Sequence, residues 1–181
     1  TYITIFTYGF TPEGELIVPE DEEIIALARE YGVGPLMLIS TLTEGGNFSN
    51  ELAGAVLNDP AAQERLIENI LANMQQKGYV GLDVDFEFLN VEDRDAYTTF
   101  VRRLADRLNP AGYFVMVALA PKISEDQPGQ LYEGHDYGGL GQVANYVLLM
   151  TYEWGYTAGP PMAVAPINKV EEVLRYAVTV I

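Results

Sequence analysis

Short apolar runs rich in β-forming residues alternate with longer amphipathic runs along the whole sequence. The β-rich runs begin near residues 2, 36, 79, 113 and 146. Strands that alternate with helices predict a parallel sheet with right-handed crossovers. The alternation therefore restricts the chain to two architectures, an open doubly wound sheet or a (β/α) barrel.

The residues that follow the β-rich runs favour the barrel over the doubly wound sheet. No glycine-rich phosphate-binding turn follows residues 2–8, where a dinucleotide-binding sheet would carry one. Chemically useful side chains instead follow several different runs, as in barrel enzymes, whose sites lie at the carboxyl ends of the strands. We predict an α/β fold of the (β/α)8 TIM-barrel type. Five strands instead of eight, within 181 residues, indicate a single partial-barrel domain over residues 1–181.

The clearest helix signals lie at residues 59–78. Asp59 is a favoured N-cap residue and Pro60 occupies the first helical position. An apolar stripe at helical spacing begins at Leu66, and Gly78 is a stop signal. This run predicts an amphipathic helix with defined ends.

Charge and cysteine content exclude several classes of partner and chemistry. The chain has 26 acidic and 10 basic residues, a net charge of -16, and no cysteine. Nucleic acids and anionic membranes bind clustered Lys and Arg, so neither is an expected partner. Without cysteine there is no thiol nucleophile or thiolate metal ligand. No apolar run is long enough to predict a transmembrane helix.

Residues 81–88 carry three acidic side chains at alternate positions: Asp83, Asp85 and Glu87. Alternate residues of a strand share one face, about 6.6 to 7 Å apart, and the opposite face would carry Val84, Phe86 and Phe88. Desolvation and mutual repulsion raise the pKa of at least one such buried carboxyl group. A carboxylic acid that stays protonated near neutral pH suits general-acid catalysis. A Mg²⁺ or Ca²⁺ site and a solvated strand end remain alternatives.

Two blocks of sequence resemble glycoside hydrolase family 18, which contains chitinases and N-acetylglucosaminidases. Residues 80–87 are similar to the family's strand-four motif Asp-Gly-x-Asp-x-Asp-x-Glu, with Val80 in place of the first Asp. Residues 149–153 are similar to its Met-Thr-Tyr-Asp block after strand six, with Glu153 in place of Asp. The wider sequence is similar to the bacterial spore-germination or cortex-lytic branch, often found behind LysM modules. The chain would supply strands two to six.

The resemblance implies a retaining, substrate-assisted glycosidase that needs no cofactor and no metal. Its substrate would be a polysaccharide containing β-linked N-acetylglucosamine, with peptidoglycan or spore cortex preferred over chitin. Glu87 would be the general acid, Asp85 would hold the acetamido N–H with Asp83 behind it, and Tyr152 would donate to the acetamido oxygen. A bacterial cell-envelope, spore or secreted location is implied as well.

Other side chains are weaker candidates. Trp154 and Tyr156 follow the sixth strand and are predicted to stack on sugars, with loop packing as the alternative. Met150 and Tyr8 are also predicted to contact substrate, although core packing is a strong alternative for Tyr8. Lys122 ends the fifth run as a further candidate contact.

His135 is the single histidine of the chain. It lies in a glycine-rich stretch, beside Asp136. An isolated histidine in this setting is predicted to be a surface or hydrogen-bonded residue and not a base or ligand.

Two further function classes remain open. A lectin-like barrel would bind glycans without chemistry, but such proteins typically lose the acidic Glu, and Glu87 is present. A metal-dependent hydrolase built on the same three carboxylates would lose activity with a chelator. Because five strands leave sheet edges unpaired, the 181-residue chain by itself is expected to be poorly active.

Overall fold

The computed structural model describes residues 1–43, 45–155 and 159–181. A six-stranded sheet runs in the order β2-β1-β3-β4-β5-β6. Its strands are β1 (Tyr2–Phe10), β2 (Leu16–Ile17), β3 (Gly34–Ser40), β4 (Gly81–Asp85), β5 (Phe114–Leu119) and β6 (Tyr146–Leu149). The five longer strands pair in parallel, as the alternation predicted. The two-residue β2, which pairs antiparallel with β1, was not predicted.

Helices connect the parallel strands. They are α1 (Glu22–Glu30), α2 (Asn50–Leu57), α3 (Pro60–Lys77), α4 (Arg94–Leu108), α5 (Gln130–Glu133), α6 (Tyr137–Val143) and α7 (Ile167–Val180). The predicted helix over residues 59–78 is confirmed as α3, whereas α2, which Ser49 caps, was not predicted. Across the described ranges, no helix combines the length and apolarity needed to cross a bilayer.

The apolar core lies between the helices and one face of the sheet. Val84 and Phe86, which precede and follow Asp85, are fully buried in this core. The Phe86 ring stacks on three aromatic rings, with centroid distances of 5.3 to 5.9 Å to Phe10, Tyr97 and Phe100. This packing fixes the side-chain direction of Phe86 at the carboxyl end of β4, where the site begins.

Asp83 and Asp85 lie on the opposite face of the sheet. Their neighbours on β3 are Leu38 and Ser40, which pair in register with Asp83 and Asp85 respectively. Leu38 is absent from the hydrophobic core on the helix side, whereas Met37 and Ile39 on either side of it belong to that core. The predicted division of β4 into an apolar face and an acidic face is therefore confirmed within the strand.

Candidate active site

A cleft of about 690 Å³ opens at the carboxyl ends of the strands. Five of the predicted site residues line it together: Asp85, Glu87, Met150, Tyr152 and Trp154. They come from two segments about sixty residues apart, the end of β4 and the loop after β6. The parallel sheet brings the two segments to one edge, where chemistry in such folds is usually found.

The acidic face continues beyond the strand that begins it. β4 ends at Asp85, so Glu87 belongs to the following loop, where it is half-buried and faces the cleft. Phe88 does not join the helix-facing side as predicted. Its φ of 55° turns the backbone into the left-handed region, and its side chain lines the cleft. The alternation prediction is wrong at Phe88 because strand geometry stops three residues earlier.

The carboxyl groups of this row have raised pKa values. Burial and the charge of Asp85 raise the pKa of Asp83 to about 7, although a hydrogen bond from Thr4 lowers it to a smaller extent. Burial raises the pKa of Asp85 to about 6. Burial, Asp85 and Glu153 raise the pKa of Glu87 to about 7. A large share of Glu87 is therefore protonated at neutral pH, as the row of carboxylates predicted.

Three buried polar atoms at the site have no hydrogen-bond partner among the described residues. They are Oδ1 of Asp83, Oδ1 of Asp85 and the indole Nε1 of Trp154. The other oxygen of Asp83 accepts a hydrogen bond from Thr4 Oγ1 at 3.2 Å. Buried polar groups in folded proteins are nearly always paired, so these atoms are candidates for hydrogen bonds to a ligand or to water. Asp85 offers an acceptor to a ligand in the cleft, and Trp154 offers a donor.

Tyr152 presents a hydroxyl donor to the same cleft. Burial and the charges of Asp85, Glu87 and Glu153 raise its pKa, so the hydroxyl keeps its proton at neutral pH. Its side chain remains 44% exposed, as expected for a group that meets a ligand. Glu153, next in sequence, has a φ of 60°, a conformation that a non-glycine residue rarely adopts.

Three sequence-based candidates do not line the cleft, and the first of them is Asp83, two residues before Asp85 on β4. Tyr8 is completely buried, and its hydroxyl donates to Asp21 and lies 3.4 Å from that of Tyr79. The predicted substrate contact at Tyr8 is therefore wrong, because the side chain belongs to the core. Lys122 is also completely buried, and its Nζ donates to the carbonyl of His135 at 3.0 Å. Tyr156 lies outside the described residues.

Aromatic side chains that the sequence did not single out as substrate contacts also line the cleft: Phe6, Phe48, Phe88 and Tyr132. The rings of Phe48 and Phe88 lie 6.2 Å apart and come from the loops after β3 and β4. Aromatic faces suit the apolar faces of sugar rings. Phe48 and Phe88 follow strands in the sequence, and that was the only local signal that they could reach the cleft. The contact between their two loops depends on the sheet.

The described residues do not form the ligand set that a metal-dependent hydrolase requires. Within residues 1–43, 45–155 and 159–181, no group of three or more His, Cys, Asp or Glu side chains is arranged to hold a metal ion. Hard cations such as Mg²⁺ and Ca²⁺ need several converging oxygen ligands.

Asp83 is expected to destabilise the folded protein at alkaline pH. Its folded-state pKa of about 7 exceeds the unfolded value of about 3.9, so its contribution to stability is present at low pH and is lost as pH rises between these two values. Asp83→Asn keeps an acceptor for Thr4 and removes the charge. We expect the free energy of unfolding to rise on the order of 2–4 kcal/mol at pH 8, since each pKa unit corresponds to about 1.4 kcal/mol.

Urea unfolding of the full-length protein at pH 8 and pH 4 checks this expectation. At pH 4 the two proteins should differ little, because Asp83 is then protonated in the folded state. The exposed Asp126→Asn serves as the matched control and should change stability at neither pH. An Asp83→Asn protein that is less stable than wild type at pH 8 would contradict the assignment of a buried, repelled charge.

Comparisons with known proteins agree with this architecture. The sequence model described as Glycosyl hydrolases family 18 matches residues 22–179. The cortical fragment-lytic enzyme of Bacillus cereus is 41% identical over 177 residues, which cover 98% of this chain and 41% of that enzyme. The related enzymes of Bacillus anthracis and Bacillus subtilis are likewise covered over 41% of their length. The chain thus spans less than half of these relatives.

Solved structures match the fold over nearly the whole chain. The spore cortex-lytic enzyme SleL of Bacillus cereus superposes with a TM-score of 0.94 at 39% identity, over 100% of this chain and 42% of that one. A chitinase from Chromobacterium violaceum superposes with a TM-score of 0.90 at 26% identity, over 98% of this chain and 56% of that one. The predicted fold, part of a (β/α)8 barrel, is confirmed.

Proposed function

This chain belongs to glycosyl hydrolases family 18, and we propose that its cleft hydrolyses β-glycosidic bonds next to N-acetylglucosamine with the help of the substrate's own acetamido group. The observation that carries the proposal is the end of β4. There a carboxyl group with a raised pKa, Glu87, lines the cleft beside Asp85, whose Oδ1 has no partner among the described residues.

Glu87 is the proposed general acid. Its pKa of about 7 keeps much of it protonated at neutral pH, and its half-buried carboxyl group faces the cleft. Protonation of the glycosidic oxygen makes that oxygen a better leaving group as the bond to the anomeric carbon breaks. The resulting Glu87 carboxylate then removes a proton from the incoming water, which restores the acid.

The acetamido group is the proposed nucleophile. Its oxygen forms a bond to the anomeric carbon while the bond to the leaving oxygen breaks, and water later opens the cyclic intermediate. Asp85 would accept the acetamido N–H and stabilise the positive charge that develops. Tyr152 would donate its hydroxyl to the acetamido oxygen and align it, with Trp154 as a second donor. Asp83 would share a proton or hydrogen bond behind Asp85.

The substrate class follows from the charge of the cleft and from the relatives. Its described lining residues include three carboxylates, at Asp85, Glu87 and Glu153, and no Lys or Arg. Such a surface repels a carboxylate-bearing sugar and accepts an uncharged one, so we place N-acetylglucosamine at the cleaved position. Relatives named as cortical fragment-lytic enzymes favour spore cortex or other peptidoglycan over chitin as the substrate. The domain over residues 1–181 would supply the catalytic residues.

The stereochemistry of the product tests the proposal. The full-length protein is incubated with β-linked N-acetylglucosamine oligomers, and the anomer formed first is identified by NMR before it mutarotates. We expect the β-anomer, because two successive displacements restore the starting configuration. We also expect unchanged turnover in the presence of EDTA. Binding without turnover would support the lectin-like alternative, an α-anomer would exclude the retaining mechanism, and loss of activity with EDTA would support the metal-dependent one.

A further inference from the structure

His135 bridges the ends of β4 and β5 from inside the protein. Its side chain is 1% exposed. Nδ1 accepts the backbone N–H of Ala120 at 2.9 Å, and Nε2 lies 2.9 Å from the carbonyl oxygen of Phe86. Because Nδ1 is occupied as an acceptor, the ring proton resides on Nε2 and is donated to Phe86. Burial and the nearby Lys122 lower the pKa of His135 to about 4, and the hydrogen bond to Phe86 opposes this only in part. The ring is therefore neutral.

The imidazole ring links β4 and β5 beyond the point where their backbones pair directly. Direct pairing of β4 with β5 runs as far as Val84 and Val117. Phe86 and Ala120 each lie one residue past the end of their strand. A direct ladder bond would join an N–H to a carbonyl at about 2.9 Å, so an inserted ring holds the strand ends further apart. The Phe86 carbonyl belongs to the peptide bond that leads into Glu87.

The segment that carries His135 is itself held closely against the loop of Glu87. A Cβ atom at Gly134 would lie 2.4 Å from Cβ of Leu89, so only a glycine permits this approach. His135 thus has little freedom to move relative to the end of β4.

We propose that His135 is a positioning residue that sets the location of the Glu87 carboxyl group by holding the Phe86–Glu87 peptide bond from the end of β5. The inference rests on the proposed role of Glu87 as the general acid. The Phe86 ring is stacked in the aromatic core and its carbonyl is bound by His135, and the next side chain, Glu87, lines the cleft. Misplacement of a catalytic group by about 1 Å costs up to about 10²-fold in rate.

Three variants of the full-length protein separate positioning from general stability. His135→Leu keeps the bulk of the side chain and removes both ring nitrogens. His135→Gln restores one donor and one acceptor without an imidazole. Tyr137→Phe is the matched control, since it removes two hydrogen bonds near the end of β5, to Ala120 and Lys122, and leaves the bond to Phe86 intact. Circular dichroism establishes folding first, and His135→Asn replaces the Leu variant if the latter does not fold.

The readouts are kcat and KM on N-acetylglucosamine oligomers, and the titration of Glu87 followed by ¹³C NMR. We expect His135→Leu to lower kcat about 10- to 10²-fold with KM within about twofold of wild type. It should also move the pKa of Glu87 by at least about half a unit. His135→Gln should restore most of the lost kcat, and Tyr137→Phe should stay near wild type.

The inference is overturned if folded His135→Leu keeps the wild-type kcat and Glu87 titration. It is also overturned if the kcat of His135→Gln is no higher than that of His135→Leu, or if Tyr137→Phe lowers kcat as much as His135→Leu does. Failure of the proposed function is read separately, from the wild type in the same assay. A wild-type protein that does not cleave the oligomers would refute that function, while the NMR titration would still decide whether His135 positions Glu87.

Discussion

Replacing Glu87 with glutamine is expected to lower kcat on N-acetylglucosamine oligomers by about 10²–10⁴-fold, with little change in glycan binding. Glutamine has the shape of the protonated acid and occupies the same half-buried place in the cleft, but it has no transferable proton. Since Glu87 would act only when protonated, wild-type turnover should also fall as pH rises above about 7. The Gln variant should lack this dependence.

Steady-state kinetics and calorimetric titration with a slowly cleaved oligomer measure the two effects separately. Glu92→Gln is the matched control, because it makes the same chemical change at an exposed position five residues along the chain. It should keep the wild-type kcat. A Glu87→Gln protein with kcat within tenfold of wild type would remove Glu87 from the role of general acid, whatever its location in the cleft.

Removal of the acetyl group from the substrate is the second change for which a large effect is expected. If the acetamido oxygen is the nucleophile, glucosamine oligomers should be cleaved at least about 10³-fold more slowly than their N-acetylated counterparts. The reason is that well-oriented intramolecular groups react with effective molarities of about 10⁵–10⁸ M, far above the concentration of water. Reducing-end assays on paired oligomers of equal length measure the ratio.

Competition experiments provide the control for this substrate comparison. The de-acetylated oligomer should still compete for the cleft, since its amino groups are positively charged and the lining contains Asp85, Glu87 and Glu153. On the protein side, Tyr152→Phe should slow the N-acetylated substrate by about 10²-fold, because it removes one donor to the acetamido oxygen. Comparable rates for both oligomers would mean that the acetamide does not attack the anomeric carbon.

Features decided within a few residues were predictable. The ends of α3 are confirmed because Asp59 accepts hydrogen bonds from the first helical N–H groups and Gly78 adopts a φ of 72°. The acidic face of β4 was predictable because successive side chains of a strand alternate between its two faces. The same rule failed at Phe88, because no local signal marks the end of β4 at Asp85.

Features decided by distant contacts were not predictable. Tyr8 ends the first β-rich run of the sequence, yet β1 continues to Phe10 and Tyr8 is buried against Tyr79, 71 residues away. His135 was expected to be a surface or hydrogen-bonded residue. It is hydrogen-bonded, but it is buried, because its partner Phe86 lies 49 residues away and nothing near His135 in the sequence indicates that contact. The aromatic lining from Phe48 and Tyr132 depends in the same way on loops that the sheet brings together.

The sequence by itself determined the parallel α/β architecture and the family, and it supplied the residues that we propose as acid and acetamide ligands. Periodicity, capping and short motifs are set by neighbours in the chain, and these can be read directly. The tertiary structure alone decided which side chains reach the cleft and how far their pKa values rise. Both depend on burial and on charges from other segments, and those are known only once the sheet has brought the segments into contact.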